Sequence, residues 1–148
     1  MNLSPLSNPL APEWMLTGSS ATPEGYTDEY REYSLSVVLA PSVEAYNQVS
    51  RNNDLNVWGA GCFLWMLTKA RSVGTSPYIM VKDHLGRFMF NEPVLLTSFC
   101  GPGEYGAPLV PVLVVPQGGQ LTFDLYEVDL AGIDVSIVVC GIQRRRLS

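Results

Sequence analysis

Two stretches near the C-terminus decide the fold class: Gln120-Leu121-Thr122-Phe123-Asp124-Leu125-Tyr126 and Ile133-Asp134-Val135-Ser136-Ile137-Val138-Val139. In the first, Leu121, Phe123 and Leu125 alternate with Thr122, Asp124 and Tyr126. Successive side chains of a strand point to opposite faces, so this period gives one buried face and one wetter face. In the second, Ile133, Val135, Ile137 and Val139 form a single inward row. Pro116-Gln117-Gly118-Gly119 supplies turn chemistry ahead of the first stretch.

The same grammar extends toward the N-terminus. Ser34–Leu39 alternates, becomes apolar and stops at Pro41. Val43–Val49 suits a strand or a short turn of helix, and Asn52-Asn53-Asp54 reads as a turn. Leu55–Trp58 and Cys62–Lys69 read as strands separated by a tight bend at Gly59-Ala60-Gly61. Tyr78–Lys82 and Arg87–Phe90 flank a four-residue hairpin loop, Asp83-His84-Leu85-Gly86. Pro93–Phe99 reads as a further strand and Gly101–Gly106 as a loop. Val110–Val115, bounded by Pro111 and Pro116, reads as an edge segment, because proline cannot donate to a ladder. Short strands at regular spacing, with no sustained helical period, predict an all-β, jelly-roll-like antiparallel β-sandwich. The expected core is Leu35, Val37, Leu64, Met66, Ile79, Val81, Phe88, Leu121, Phe123, Val135, Ile137 and Val139.

Residues 1–30 break this pattern. They hold four prolines (Pro5, Pro9, Pro12, Pro23), four acids and no base, together with Leu3, Leu6, Leu10, Trp14, Met15 and Leu16. The prolines forbid a regular helix or a central strand, and the apolar side chains exceed what a solvated tail carries. The chain therefore divides into an extended arm, 1–32, and a β-sandwich domain, 33–148. Leu10, Trp14, Met15 and Leu16 are the expected anchors of an arm lying across an adjacent subunit. Its folding back over its own sandwich is the alternative.

Composition narrows the function. The 148 residues are 47% hydrophobic and 16% charged, below the usual charged share of roughly 25%. That excludes a disordered chain and fits one domain. The net charge of −5 comes from residues 1–68, with two bases against seven acids; residues 69–148 hold seven of each. An acidic body does not attract phosphates, so nucleic acid is an unexpected partner. The one basic cluster, Arg144, Arg145 and Arg146, reads either as a solvated tail or as a contact for an acidic neighbouring subunit or a nucleic acid. Cys62, Cys100 and Cys140 are odd in number, scattered and set among apolar residues, which suits reduced core thiols made in a cytosol. The first base is Arg31, so no signal-peptide n-region opens the chain, and no apolar stretch is long enough for a membrane helix.

No chemical motif survives inspection. Gly101-Pro102-Gly103-Glu104-Tyr105-Gly106 is formally G-x-G-x-x-G, but Pro108 and Pro111 prevent the helix whose N-terminus would hold a pyrophosphate. His84 is the sole histidine and falls in the hairpin loop, too little for a zinc site. Asp124, Glu127, Asp129 and Asp134 lack calcium-loop spacing. Asp28, Glu29 and Glu32 are expected to face water. Core filling accounts for Phe63, Trp65, Tyr78, Phe88, Phe90 and Phe99. The expectation is a protein without catalytic residues, cofactor or metal.

The chain resembles small β-sandwich virion proteins of tailed bacteriophages, the subunits that decorate capsids or build collar and tail parts. Tyr33–Leu39, Cys62–Lys69, Tyr78–Phe90, Pro116–Asp124 and the closing Val135–Arg144, with Gly141 and its arginine end, carry the resemblance over roughly residues 33–146. It implies assembly in a virion after synthesis in the host cytoplasm. The implied partners are copies of this chain and major capsid, portal-region or tail subunits. A carbohydrate- or host-surface-binding sandwich is the alternative function.

Overall fold

The computed structural model describes residues 21–41, 48–73, 76–101, 106–127 and 132–147. Its elements in chain order are β1 (Tyr26–Leu39), β2 (Gln48–Asn56), β3 (Cys62–Val73), β4 (Tyr78–Lys82), β5 (Val94–Leu95), the five-residue helix α1 (Leu96–Cys100), β6 (Ala107–Pro116), β7 (Gln120–Glu127) and β8 (Ile133–Arg146). Two four-stranded sheets form, ordered β1-β8-β3-β6 and β2-β7-β4-β5. All pairings are antiparallel: first strand with last, second with seventh, third with sixth, fourth with fifth. That is one long antiparallel ribbon wrapped into two layers, the jelly roll expected from the sequence.

Alternation fixes which face is inside. Leu121, Phe123 and Leu125 of β7 and Val135, Ile137 and Val139 of β8 are fully buried. They meet Ile79, Val81, Phe63 and Trp65 in one cluster between the sheets. Trp65 donates its indole N–H to Thr68 Oγ1 at 2.8 Å. This satisfies the polar atom that a buried Trp brings with it. Tyr33 donates to Gln143, and Gly59 N–H donates to the Tyr33 hydroxyl at 3.2 Å. Gln143 Nε2 donates to the carbonyls of Gly59 and Ala60, so the bend before β3 is tied to β8. Gly61 turns that bend with φ +84°.

Several expectations are corrected. β3 carries a bulge between Trp65 and Leu67, and its N-terminal half directs Phe63 and Trp65 inward. Leu64 and Met66, expected inside, therefore face outward, a one-residue slip that swaps faces; Leu64 is nonetheless buried and Met66 half-buried. Leu35 is also half-buried. Phe88 is 54% exposed, because the segment after the Asp83 turn forms only an isolated bridge to Lys82 and no second strand. Asn52-Asn53-Asp54 lies inside β2 and is not a turn: the ladder to β7 bulges between Ser50 and Asn53, where Asn52 has φ 57° and its N–H donates to Asp124 Oδ1. Pro93–Phe99 yields two strand residues and then α1. β1 begins at Tyr26, so residues 26–32, assigned to the arm, belong to the sheet. Edge position is confirmed for β6.

Candidate interaction surface

The beginning of β1 is fastened to β8 by an ion pair. Asp28 lies opposite Arg144 in the β1–β8 register. The guanidinium donates to both carboxylate oxygens, Nε to Oδ1 at 2.7 Å and Nη2 to Oδ2 at 2.8 Å. Nη2 also donates to the carbonyl of Ala21 at 3.1 Å, and Thr22 Oγ1 donates to Asp28 Oδ2 at 2.6 Å. The Arg144 side chain is 0% exposed and that of Asp28 14%. The bidentate guanidinium holds the Asp28 carboxyl below its usual range. Leu147 N–H donates to Gly25 O, so the root of the arm and the end of β8 are fastened together.

The same face carries a second apolar cluster. Leu64 is fully buried and Val114 nearly so, with Tyr26, Cys62, Met66, Val112 and Ile142 packed around them. Leu64 pairs with Ile142 on one side and Val114 on the other, and Cys62 pairs with Arg144. These positions alternate with the core-facing Phe63, Trp65 and Val115, so the cluster lies on the sheet face turned away from the sandwich interior. Burial raises the pKa of the Cys62 thiol.

A groove of about 610 Å³ opens where β3 runs beyond its pairing with β6. Lys69, Arg71, Ser76, Thr97, Cys100 and Val138 are among its lining residues. Lys69 is paired with Glu32 at 3.4 Å. Ser76 Oγ is buried and has no hydrogen-bond partner among the described residues. The Cys100 thiol is pushed up to about 12 by burial, which removes it as a nucleophile at neutral pH. His84 Nδ1 is buried with no hydrogen-bond partner among the described residues, and desolvation lowers the imidazole pKa. Among the described residues no group of three or more His, Cys, Asp and Glu side chains could hold a metal. Trp58 is 66% exposed, but the Arg31 guanidinium sits 4.7 Å from its ring centroid and occupies one face.

The predicted site residues separate into three groups. Leu10, Trp14, Met15 and Leu16 lie outside the described residues. Arg145 and Arg146 are exposed, Arg146 over the Tyr26 ring. Arg144, expected in a solvated tail or at a contact, is instead the buried partner of Asp28, and Asp28 does not face water. Sequence reading missed the Leu64–Val114 cluster, whose only signal was an uninterrupted apolar run, Cys62–Leu67, too apolar for a half-wet strand. No protein-family model matches this chain, and no curated protein matches it significantly.

Proposed function

We propose that this protein is a structural subunit of a tailed-phage particle, acting by packing against copies of itself and other particle proteins in the capsid, the head–tail region or the tail. The observation that carries the reading is an uneven treatment of sheet edges. β6 is blunted by Pro108, Pro111 and Pro116, β2 by its bulge, and β5 by its two-residue length. β1, fourteen residues long, pairs only with β8 among the described strands, and its half Ser34–Leu39 carries neither charge nor proline. Such an edge is a template for another chain, and proteins that stay single protect it. Exposed Val38 and Tyr30 add apolar surface beside it. Mass spectrometry of purified particles tests the reading: a fixed copy number supports it, and absence from particles overturns it.

A second reading, a carbohydrate-binding sandwich, draws on the groove beside α1, where hydroxyls, Arg71 and the buried Ser76 Oγ converge. A pocket of this size with few polar groups suits a small ligand. Binding on a glycan array that is lost with Ser76→Val and Arg71→Ala would favour it.

A further inference from the structure

We infer that the groove between β3, β8 and α1 takes a sugar acid, its carboxylate held by Arg71 and Lys69; this rests on the carbohydrate reading of the groove and adds the charge that selects the ligand. The pairing of β3 with β6 ends at Thr68 and Ala107, while its pairing with β8 continues to Val73 and Asp134. Residues two apart on a strand share a face and stand roughly 6.6 Å apart. Lys69 and Arg71 are so placed, and their partners across the ladder on β8 are Val138 and Ser136. All four line the groove, as does Thr97 of α1. Two cations therefore stand side by side over one apolar and one hydroxyl side chain.

Charge separates this groove from the rest of the chain. The sequence holds 14 acids against 9 bases, yet the described lining residues include these two bases and neither Asp nor Glu. Arg31, Arg87 and Arg144 each pair with a carboxylate, whereas Arg71 makes no ion pair among the described residues. Lys69 meets Glu32 at 3.4 Å in a partly exposed pair. Such pairs are weak, so Lys69 is available to a second anion. A guanidinium presents a planar fork of donors that matches a carboxylate, as Arg144 does with both oxygens of Asp28. The volume of about 610 Å³ exceeds what a bare carboxylate fills and lies within the roughly 300–1,000 Å³ of small-molecule sites. Hydroxyls of Thr97 and Ser136 both donate and accept, which suits the hydroxyls of a sugar ring. Ser76 Oγ is buried with no hydrogen-bond partner among the described residues. Buried hydroxyls normally have one, so this wall has a polar group to spare.

Isothermal titration calorimetry of the full chain with glucuronate, glucose and inorganic phosphate provides the test. Glucuronate is expected to bind on the order of tenfold more tightly than either of the others. Its affinity should fall as salt rises from roughly 0.05 to 0.5 M, because the ion pairs lie near solvent. Arg71→Gln should weaken glucuronate on the order of tenfold with an unchanged circular dichroism spectrum. Glucose binding as tightly as glucuronate overturns the charge assignment and leaves the carbohydrate reading standing. Phosphate binding as tightly as glucuronate overturns the sugar acid. If neither sugar binds, the inference is overturned, and the glycan array with its neutral glycans decides the carbohydrate reading separately. A folded Arg71→Gln that binds like the native chain also overturns it. Should that variant unfold, Thr97→Glu at an exposed position takes its place. The added carboxylate should weaken glucuronate on the order of tenfold by repulsion, and an unchanged affinity rejects the site.

Discussion

At the level of single residues, Asp28 and Arg144 do the most to define where the sheet begins. Removing one partner of an enclosed ion pair leaves the other charge stranded, which costs about 3 kcal/mol. Asp28→Ala is expected to lower unfolding free energy by about that amount at pH 7 in urea titrations. The folded-state pKa of Asp28 is below its unfolded value of about 3.9. Its contribution is therefore complete above that pH and is lost as pH falls through the lower folded value. The gap between native and variant proteins should narrow below about pH 4; a gap constant down to pH 2 would show that the pair contributes nothing. Gly141 is equally demanding. A Cβ there would stand 1.8 Å from the Leu64 carbonyl oxygen, a backbone atom. Gly141→Ala should cost roughly 2–3 kcal/mol, read as a shifted urea midpoint. Neither partnership was visible in sequence, because position 28 and position 144 meet only once β1 and β8 are in register.

Elements differ in how plainly they announce themselves. β7 and β8 are legible because their inward rows alternate without exception and Gly118 and Gly119 mark the turn before them. β1 is legible only in part. Tyr26–Glu32 holds Asp28, Glu29, Arg31 and Glu32, and a run of charges looks like solvated arm until an edge position explains it. α1 is illegible for a different reason: five residues are shorter than two helical turns and show no period. The bulge in β3 inverts the faces of Leu64 and Met66, and bulges leave no fixed signature in one sequence. The open half of β1 carries its own prediction. Ser34→Lys with Val38→Lys adds charge at two exposed positions. Sedimentation velocity should show loss of self-association, while stability changes by less than about 0.5 kcal/mol per site. Unchanged association would remove β1 from the interface.

For the molecule as a whole, the arm and the sandwich divide at a place composition did not mark. Deleting residues 1–20 should keep a β-type circular dichroism spectrum. Deleting residues 1–30 removes Asp28 and the first third of β1, and should abolish the cooperative thermal transition. Equal behaviour of the two truncations would place the boundary elsewhere. One consequence of the wrapped ribbon concerns time and not geometry. β8 is the last strand to leave the ribosome, yet it lies between β1 and β3 and joins them. Until its fourteen residues emerge, β1 has no described ladder partner and β3 has only β6, so Phe63, Leu64 and Trp65 lack the neighbour on their other side. Chains built on such distant pairings form slowly and are vulnerable while they wait. While β8 is missing, both edges of β1 are open; once it has joined, one of them is closed by fourteen residue pairs and only the other still faces outward.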